Sequence, residues 1–311
     1  METPEPHPLD FDWRFTATAA RLLARSVSKR SLILCVGAPS VASLLENWGV
    51  EVLLVDRQPV HLVQAKVSVD PGTDEPLPHS FSVAVVDPPW YPEVYRRWLA
   101  WTAAHIKEGG ELLASLWAPE TRPSAVEERR EVLKWITSWA DVDVDEGVLR
   151  YVTPAFEEEA FAIRGLPPPD KEWRRGDLLR IRPVATPGLP QPLVAEENWV
   201  RFVFNDYQLA LRIVAGDTRA SRLLPVPGAV GWIWPSVSRR APGRGKIDLW
   251  SSRNEVAIVE GSLGVLGHLR SIIETDGGVL QNSAAEVLQT LTGWRLPAGP
   301  YWRTLEWTHR V

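Results

Sequence analysis

Between residues 31 and 87, nearly unbroken apolar runs alternate with amphipathic ones. "SLILCV" (31–36), "VEVLLV" (50–55) and "FSVAVV" (81–86) are apolar almost throughout, as strands must be in a sheet covered on both faces. Between the first two runs lie a small-residue turn (37–40), a short helical pattern (41–47) and a Gly49 stop, which together predict a βαβ unit and a parallel sheet. Upstream, "FDWRFTATAARLLARSVSKR" places Leu22, Leu23 and Val27 at helical spacing, with Thr16 or Thr18 available as a cap. Downstream the pattern predicts a helix and short strand within 61–70, a loop over 71–80 and a strand over 81–87. Next come a helix over 91–110 with a Gly-Gly stop, a strand over 111–118 and a helix over 126–140. The runs at 141–154, 161–167 and 177–184 predict the last strands of this sheet, with an antiparallel edge.

Prolines divide the chain. Residues 1–9 are Pro-rich and predict a mobile N-terminus, followed by a first domain over 10–186. "ATPGLPQPL" holds three prolines in nine residues and places a linker at 187–195. Beyond it, apolar runs at 199–214, 231–238, 246–252 and 255–261 predict strands, with helices near 262–274 and 283–293. Residues 196–311 so predict a smaller α+β domain that presents substrate or takes part in an interaction. No internal repeat is visible.

At 311 residues and 45% hydrophobic content the chain can bury substantial cores. Its longest apolar runs fall short of the roughly 20 residues a membrane helix needs, and its first residues lack the basic and apolar regions of a secretory signal. The expectation is a soluble cytoplasmic protein with no membrane partner. Cys35 is the only cysteine, so no intramolecular disulfide can form, and no Cys–His spacing suits zinc; no metal is expected. A net charge of −5 argues against non-specific coating of nucleic acid, yet leaves a local basic groove open.

Open parallel sheets bind ligands beyond the carboxyl ends of their strands, where strand order reverses. Three features fall at such ends. "VGAPS" follows the first strand, where small residues allow close approach to backbone amides. Asp56 closes the second strand, where a carboxylate can accept both ribose hydroxyls of an adenosine. "DPPW" closes the strand that begins at Phe81. Singly each is ordinary: one glycine is no dinucleotide fingerprint, acids often follow strands, and "PPP" at 167–169 reads as a plain loop. Their order along the chain gives them weight.

With these residues the chain resembles the Rossmann-type S-adenosylmethionine-dependent methyltransferases, and within them the amino-methyltransferases marked by [Asp/Asn/Ser]-Pro-Pro-[Tyr/Phe/Trp]. Asp87, Pro88, Pro89 and Trp90 match that motif in full. The cofactor motif precedes the catalytic one, unlike the order in messenger-RNA adenosine methyltransferases. Pro39, Ser40 and Val41 resemble the "PSV" first motif of the N6-adenine methyltransferase-like family, which includes elongation-factor lysine methyltransferases. "FDWRFTATAA" is similar to the aromatic segment preceding the fold in those enzymes, and a more distant likeness is to branched-chain polyamine synthase. The resemblance covers roughly residues 11–185. It implies an α/β fold: a Rossmann-like class I methyltransferase sheet with helices on both faces, followed by a smaller α+β domain. It implies S-adenosylmethionine as cofactor, held by Gly37, Ala38 and Asp56 with Pro39, Ser40 and Arg57 beside them, and Asp87 to Trp90 at the reacting amine. One departure stands out: Cys35 or Val36 occupies the position where the first motif usually has an acid for the methionine amino group.

Methyl transfer to nitrogen is an in-line displacement in which positioning dominates. The Asp87 carboxylate and Pro88 carbonyl are the expected hydrogen-bond acceptors, Pro88 and Pro89 stiffen the loop, and Trp90 offers a stacking face. The plainer reading makes Asp87 a turn cap and Trp90 core. Trp13, Phe15 and Tyr91 are candidate substrate contacts or ordinary packing. In "GWIWPSVSRRAPGRGKIDLW", Arg239, Arg240, Arg244 and Lys246 beside Trp232, Trp234 and Trp250 could grip nucleic acid, although a charged loop between core strands fits as well. The expected function is N6-adenine methylation of nucleic acid. Protein-lysine methylation, aminopropyl transfer and an inactive interaction subunit remain as alternatives, and the partner is nucleic acid or a protein, with homo-oligomer and complex subunit both open.

Overall fold

In the computed structural model, residues 4–10, 13–58, 63–167, 170, 172–193, 198–238, 240–274, 285–297, 299–301 and 304–310 are described. The chain forms two compact units: Trp13–Val152 with Asp170–Val194, and Met1–Asp12 with Thr153–Pro169 and Ala195–Val311.

The first unit is built on seven strands: β1 (Leu32–Val36), β2 (Glu51–Val55), β3 (Lys66–Val67), β4 (Phe81–Val86), β5 (Ile106–Trp117), β6 (Ala140–Arg150) and β7 (Arg175–Pro183). Their order is β3-β2-β1-β4-β5-β7-β6. β1 to β5 pair in parallel, while β7 runs antiparallel between β5 and β6. This is the doubly wound 3-2-1-4-5 order with its reversal between β1 and β4.

Alternate residues of each strand serve opposite faces. Ile33 and Cys35 of β1 pack with Leu23, Val41 and Leu45 of α1 (Ala17–Val27) and α2 (Pro39–Asn47). Leu34 and Val36 face Tyr95, Trp98, Val132 and Ile136 of α3 (Pro92–Ala103) and α4 (Ala125–Thr137). Both faces are covered, which explains why these strands read as unbroken apolar runs. Thr16 caps α1 by accepting the Ala19 N–H at 3.3 Å, and Pro39 opens α2 at its first turn, where a missing N–H costs nothing.

The second unit holds a six-stranded antiparallel sheet. It comprises β8 (Asn198–Phe204), β9 (Tyr207–Arg212), β10 (Arg222–Leu224), β11 (Leu249–Ser251), β12 (Val256–Glu260) and β13 (Leu305–Arg310), in the order β10-β12-β11-β9-β8-β13. Residues of α6 (Ser262–Glu274) and α7 (Ala285–Gly293) share one core with the sheet, among them Val265, Leu269 and Leu291 with Phe202, Leu209 and Leu211. A second core holds Leu9, Trp199, Trp234 and Trp250. No helix among the described residues is long and apolar enough to cross a membrane.

Several expectations change. Residues 4–10 are tied down rather than mobile: the Glu5 N–H donates to Asp206 O at 2.6 Å, His7 Nε2 donates to Trp250 O at 3.0 Å, and Asp10 pairs with fully buried Arg201 at 2.9 Å. Residues 187–193 do not hang as a linker, because Arg97 donates to Pro190 O and the Leu193 N–H to Gly72 O within the first unit. The run at 161–167 is no strand: its first two residues end α5 (Ala155–Ala162), which Pro154 precedes as N-cap and which belongs to the second unit, and 163–165 form a turn; short apolar runs do not distinguish strand from buried helix. Residues 231–238 make only isolated bridges, since Gly231 turns with φ +60° and Pro235 lacks a donor. The Gly-Gly pair does not stop a helix. α3 ends at Ala103, and Gly109 and Gly110 lie in a bulge of β5 where the register against β4 shifts. The expected antiparallel edge is present, the edge strand β6 pairing antiparallel with β7, and the strand that reverses direction against β5 is β7, one place in from that edge. Of the helix expected within 61–70, residues 61–62 lie outside the described residues and 63–65 are not helical.

Candidate active site

The carboxyl ends of β2, β1 and β4 meet where strand order reverses. Backbone bonds tie them: the Gly37 N–H donates to Val55 O at 2.9 Å and the Asp87 N–H to Val36 O at 3.0 Å. Gly37 has φ +61°, and a Cβ there would lie 2.7 Å from Trp98 Cζ3 and 3.0 Å from Asp87 O. The glycine therefore makes room for α3 and the Asp87 loop, a demand of the protein's own packing that sequence reasoning attributed to a ligand. Ala38 is buried and precedes α2; Pro39 and Ser40 form its first turn, half-buried.

Asp56 follows β2 and is half-buried. Its Oδ1 accepts the Gln58 N–H at 2.9 Å, and its backbone N–H donates to Val67 O at 3.2 Å. Lys66 of β3 stands beside it: burial pushes this amine down to about 8, and the Asp56 charge opposes that shift. Arg57 turns to Asp70 at 3.8 Å. Of the two residues that stand where the resemblance expects an acid, Cys35 is fully buried on the α1/α2 side, where burial holds its thiol protonated, and Val36 is fully buried on the α3/α4 side. Among the described residues no cluster suits a metal ion.

Asp87 is gripped by residues that no motif announced. Its Oδ1 accepts Ser115 Oγ at 2.5 Å and Tyr151 Oη at 2.9 Å. Trp90 Nε1 donates to Ser115 Oγ at 3.3 Å, and Tyr95 Oη donates to Ser115 O at 2.7 Å. Burial, reinforced by the Asp87 charge, raises both tyrosine hydroxyls well above their ordinary range, so both stay protonated donors. Trp90 is half-buried between the two cores of its unit, edge-on to Tyr151 at 5.1 Å. Its indole lies against Gly176 of β7, where a Cβ would come within 3.1 Å of it. Pro88 is buried, and the Pro89 carbonyl accepts the Tyr91 N–H at 2.8 Å as α3 begins.

The N-terminal aromatic segment walls the same site. Phe15 bridges Tyr151, flanked by the bonds Thr16 N–H to Arg150 O (2.9 Å) and Val152 N–H to Arg14 O (2.8 Å), and its ring lies 4.8 Å from that of Tyr151. Trp13 lies under Arg174, 4.0 Å from the guanidinium carbon. Tyr91 faces Arg122 at 5.7 Å. The structure thus brings Trp13, Phe15, Gly37, Asp56 and Asp87 to Tyr91 into one unit. Arg240, Arg244 and Lys246 belong to the other unit, and Arg239 lies outside the described residues. Trp234 and Trp250 are buried there, with Arg244 lying 4.5 Å over Trp250, so these two rings serve a core rather than an open stacking surface.

No family model matches the sequence, and no curated protein matches it. Solved structures do. The branched-chain polyamine synthase from Thermus thermophilus, solved with N4-aminopropylspermidine and 5'-methylthioadenosine, matches with TM-score 0.53 at 16% identity, over 62% of this chain and 64% of that one. Its C9 mutein matches with TM-score 0.52 at 15% identity over the same shares. A TehB-like SAM-dependent methyltransferase from Corynebacterium glutamicum matches more weakly, with TM-score 0.34 at 14% identity, over 53% of this chain and 87% of that one. The match spans just under two thirds of the synthase chains. At such identity the likeness is one of fold alone, consistent with the doubly wound, Rossmann-like α/β order of the first sheet.

Proposed function

We propose that this protein is an S-adenosylmethionine-dependent N-methyltransferase acting on the exocyclic amine of adenine in nucleic acid. The observation that carries this reading is Asp87, held by Ser115 and Tyr151 at the carboxyl end of β4, beside the point where strand order reverses. The half-buried Asp56 carboxylate and the α2 amino end, which carries no side-chain cap, suit an adenosyl group. Asp56 would take the ribose hydroxyls, with Gly37 to Ser40 beside it. The bound cofactor supplies an electrophilic methyl group. Asp87 accepts a hydrogen bond from the amine and turns its nitrogen toward the transfer line. Ser115 and Tyr151, donating to the same carboxylate oxygen, fix the orientation of that acceptor. Pro88 and Pro89 keep the loop from yielding.

Two variants separate the roles. Asp87→Asn keeps shape and is expected to leave S-adenosylhomocysteine affinity within about twofold while transfer falls about 100-fold or more. Asp56→Ala is expected to weaken calorimetric binding about tenfold. Equal losses in both variants would count against this division. Labelled cofactor with mixed nucleic acid and protein acceptors identifies the substrate. Label released by nuclease supports adenine methylation, whereas label released only by protease establishes the lysine alternative.

A further inference from the structure

Beside Trp90 the first unit gathers three tryptophans around one arginine. The Arg174 guanidinium carbon lies 4.0 Å from the Trp13 ring, 5.2 Å from Trp173 and 5.7 Å from Trp90. All three distances fall within the roughly 6 Å over which an aromatic face attracts a cation, and tryptophan is the strongest such face. The grouping is assembled from three separate stretches of chain. Trp13 arrives on the N-terminal segment that bridges Tyr151, Trp90 on the Asp87 loop, and Trp173 with Arg174 just before β7. Gly176, two residues beyond Arg174, lets the Trp90 indole lie against β7. Trp173 is 38% exposed, so the cluster reaches the surface.

Enclosures of aromatic rings recognise ammonium ligands by cation–π attraction. Here the cation position is filled by the protein's own side chain. We infer that Arg174 is a specificity residue: by occupying the Trp13–Trp90–Trp173 enclosure next to Asp87, it turns away cationic amines and leaves the site to neutral, planar ones. A protonated lysine side chain or a polyamine would have to displace a guanidinium already stacked on Trp13. A nucleobase amine carries no charge and needs no such exchange. This inference rests on the proposed amine-transfer reading and names its substrate class. It also separates this chain from the polyamine synthase whose fold it shares.

Calorimetric titration of the full chain with tetramethylammonium and with spermidine tests it, with tert-butanol as a neutral control of tetramethylammonium's shape. Wild type is expected to bind neither cation measurably. Arg174→Ala and Arg174→Gln are expected to bind both at least about tenfold more tightly than wild type, a gain of the size that cation–π contacts supply, and tert-butanol no better. The Gln variant retains most of the stem, so the test stands if the Ala variant fails to fold. Wild type binding the cations as tightly as a folded variant would overturn the inference, as would a folded variant with no gain. These titrations need neither cofactor nor transfer. Failure of S-adenosylhomocysteine binding would strike the proposed function alone, and an unchanged response to cations would strike only the role of Arg174.

Discussion

At the scale of single residues the site rests on one carboxylate whose orientation is imposed from outside its own motif. Asp87 could be picked out in the sequence because an apolar strand stops there at a proline pair. Ser115 and Tyr151 could not, since they lie 28 and 64 residues away and a serine in a strand or a buried tyrosine carries no signal of its own. Lys66 was missed for the same reason. Its amine is pushed down to about 8 when folded, against 10.5 as a free side chain. Between those values the unfolded chain binds more protons than the folded one, so stability climbs with pH. Urea midpoints measured across that window are expected to rise in wild type and to flatten in Lys66→Met. NMR titration of Lys66 is expected to move lower still in Asp56→Asn, because the opposing charge is gone; an unmoved titration would remove Asp56 as its partner.

At the scale of elements, glycines decide how the strands of the first unit can approach their neighbours. Gly37 and Gly49 both have positive φ, at +61° and +74°, but only Gly37 has Trp98 and the Asp87 carbonyl within a Cβ's reach. Gly49→Ala should therefore cost about 1–2 kcal/mol from backbone strain alone. Gly37→Ala adds overpacking and should cost about 2–5 kcal/mol. Urea unfolding of the two variants compares them, and equal losses would show that Trp98 yields easily. The positive φ that stops α2 at Gly49 is legible in sequence. The crowding at Gly37 is not, because it comes from α3 and from the loop after β4. The Gly109–Gly110 bulge was misread for a related reason: glycine ends helices and bulges strands alike, and only pairing with β4 settles which.

At the scale of the whole molecule, the N-terminal residues of the second unit are tied into it by a buried ion pair with β8. Asp10 and Arg201 have side chains 4% and 0% exposed, and Arg201 also donates to Gln208 at 3.1 Å. Removing one partner strands a buried charge, so Asp10→Ala is expected to lower stability by about 3–5 kcal/mol. Asp10→Ala with Arg201→Met should recover much of that loss in the same urea titration. A single variant of wild-type stability would mean that residues 4–10 contribute little to the core. The sequence alone suggested no such attachment, because the Pro-rich residues 1–9 have no periodicity to read.

The sequence by itself determined the parallel core of the first sheet and the loop after β4, because strands covered on both faces must be apolar and a strand end must show its break. Tertiary structure alone decided which residues hold Asp87, where the reversed strand β7 sits, and that the N-terminal residues are divided between the two units. Those features depend on contacts between distant segments. Local pattern records what a segment must bury, and it does not record which partner buries it.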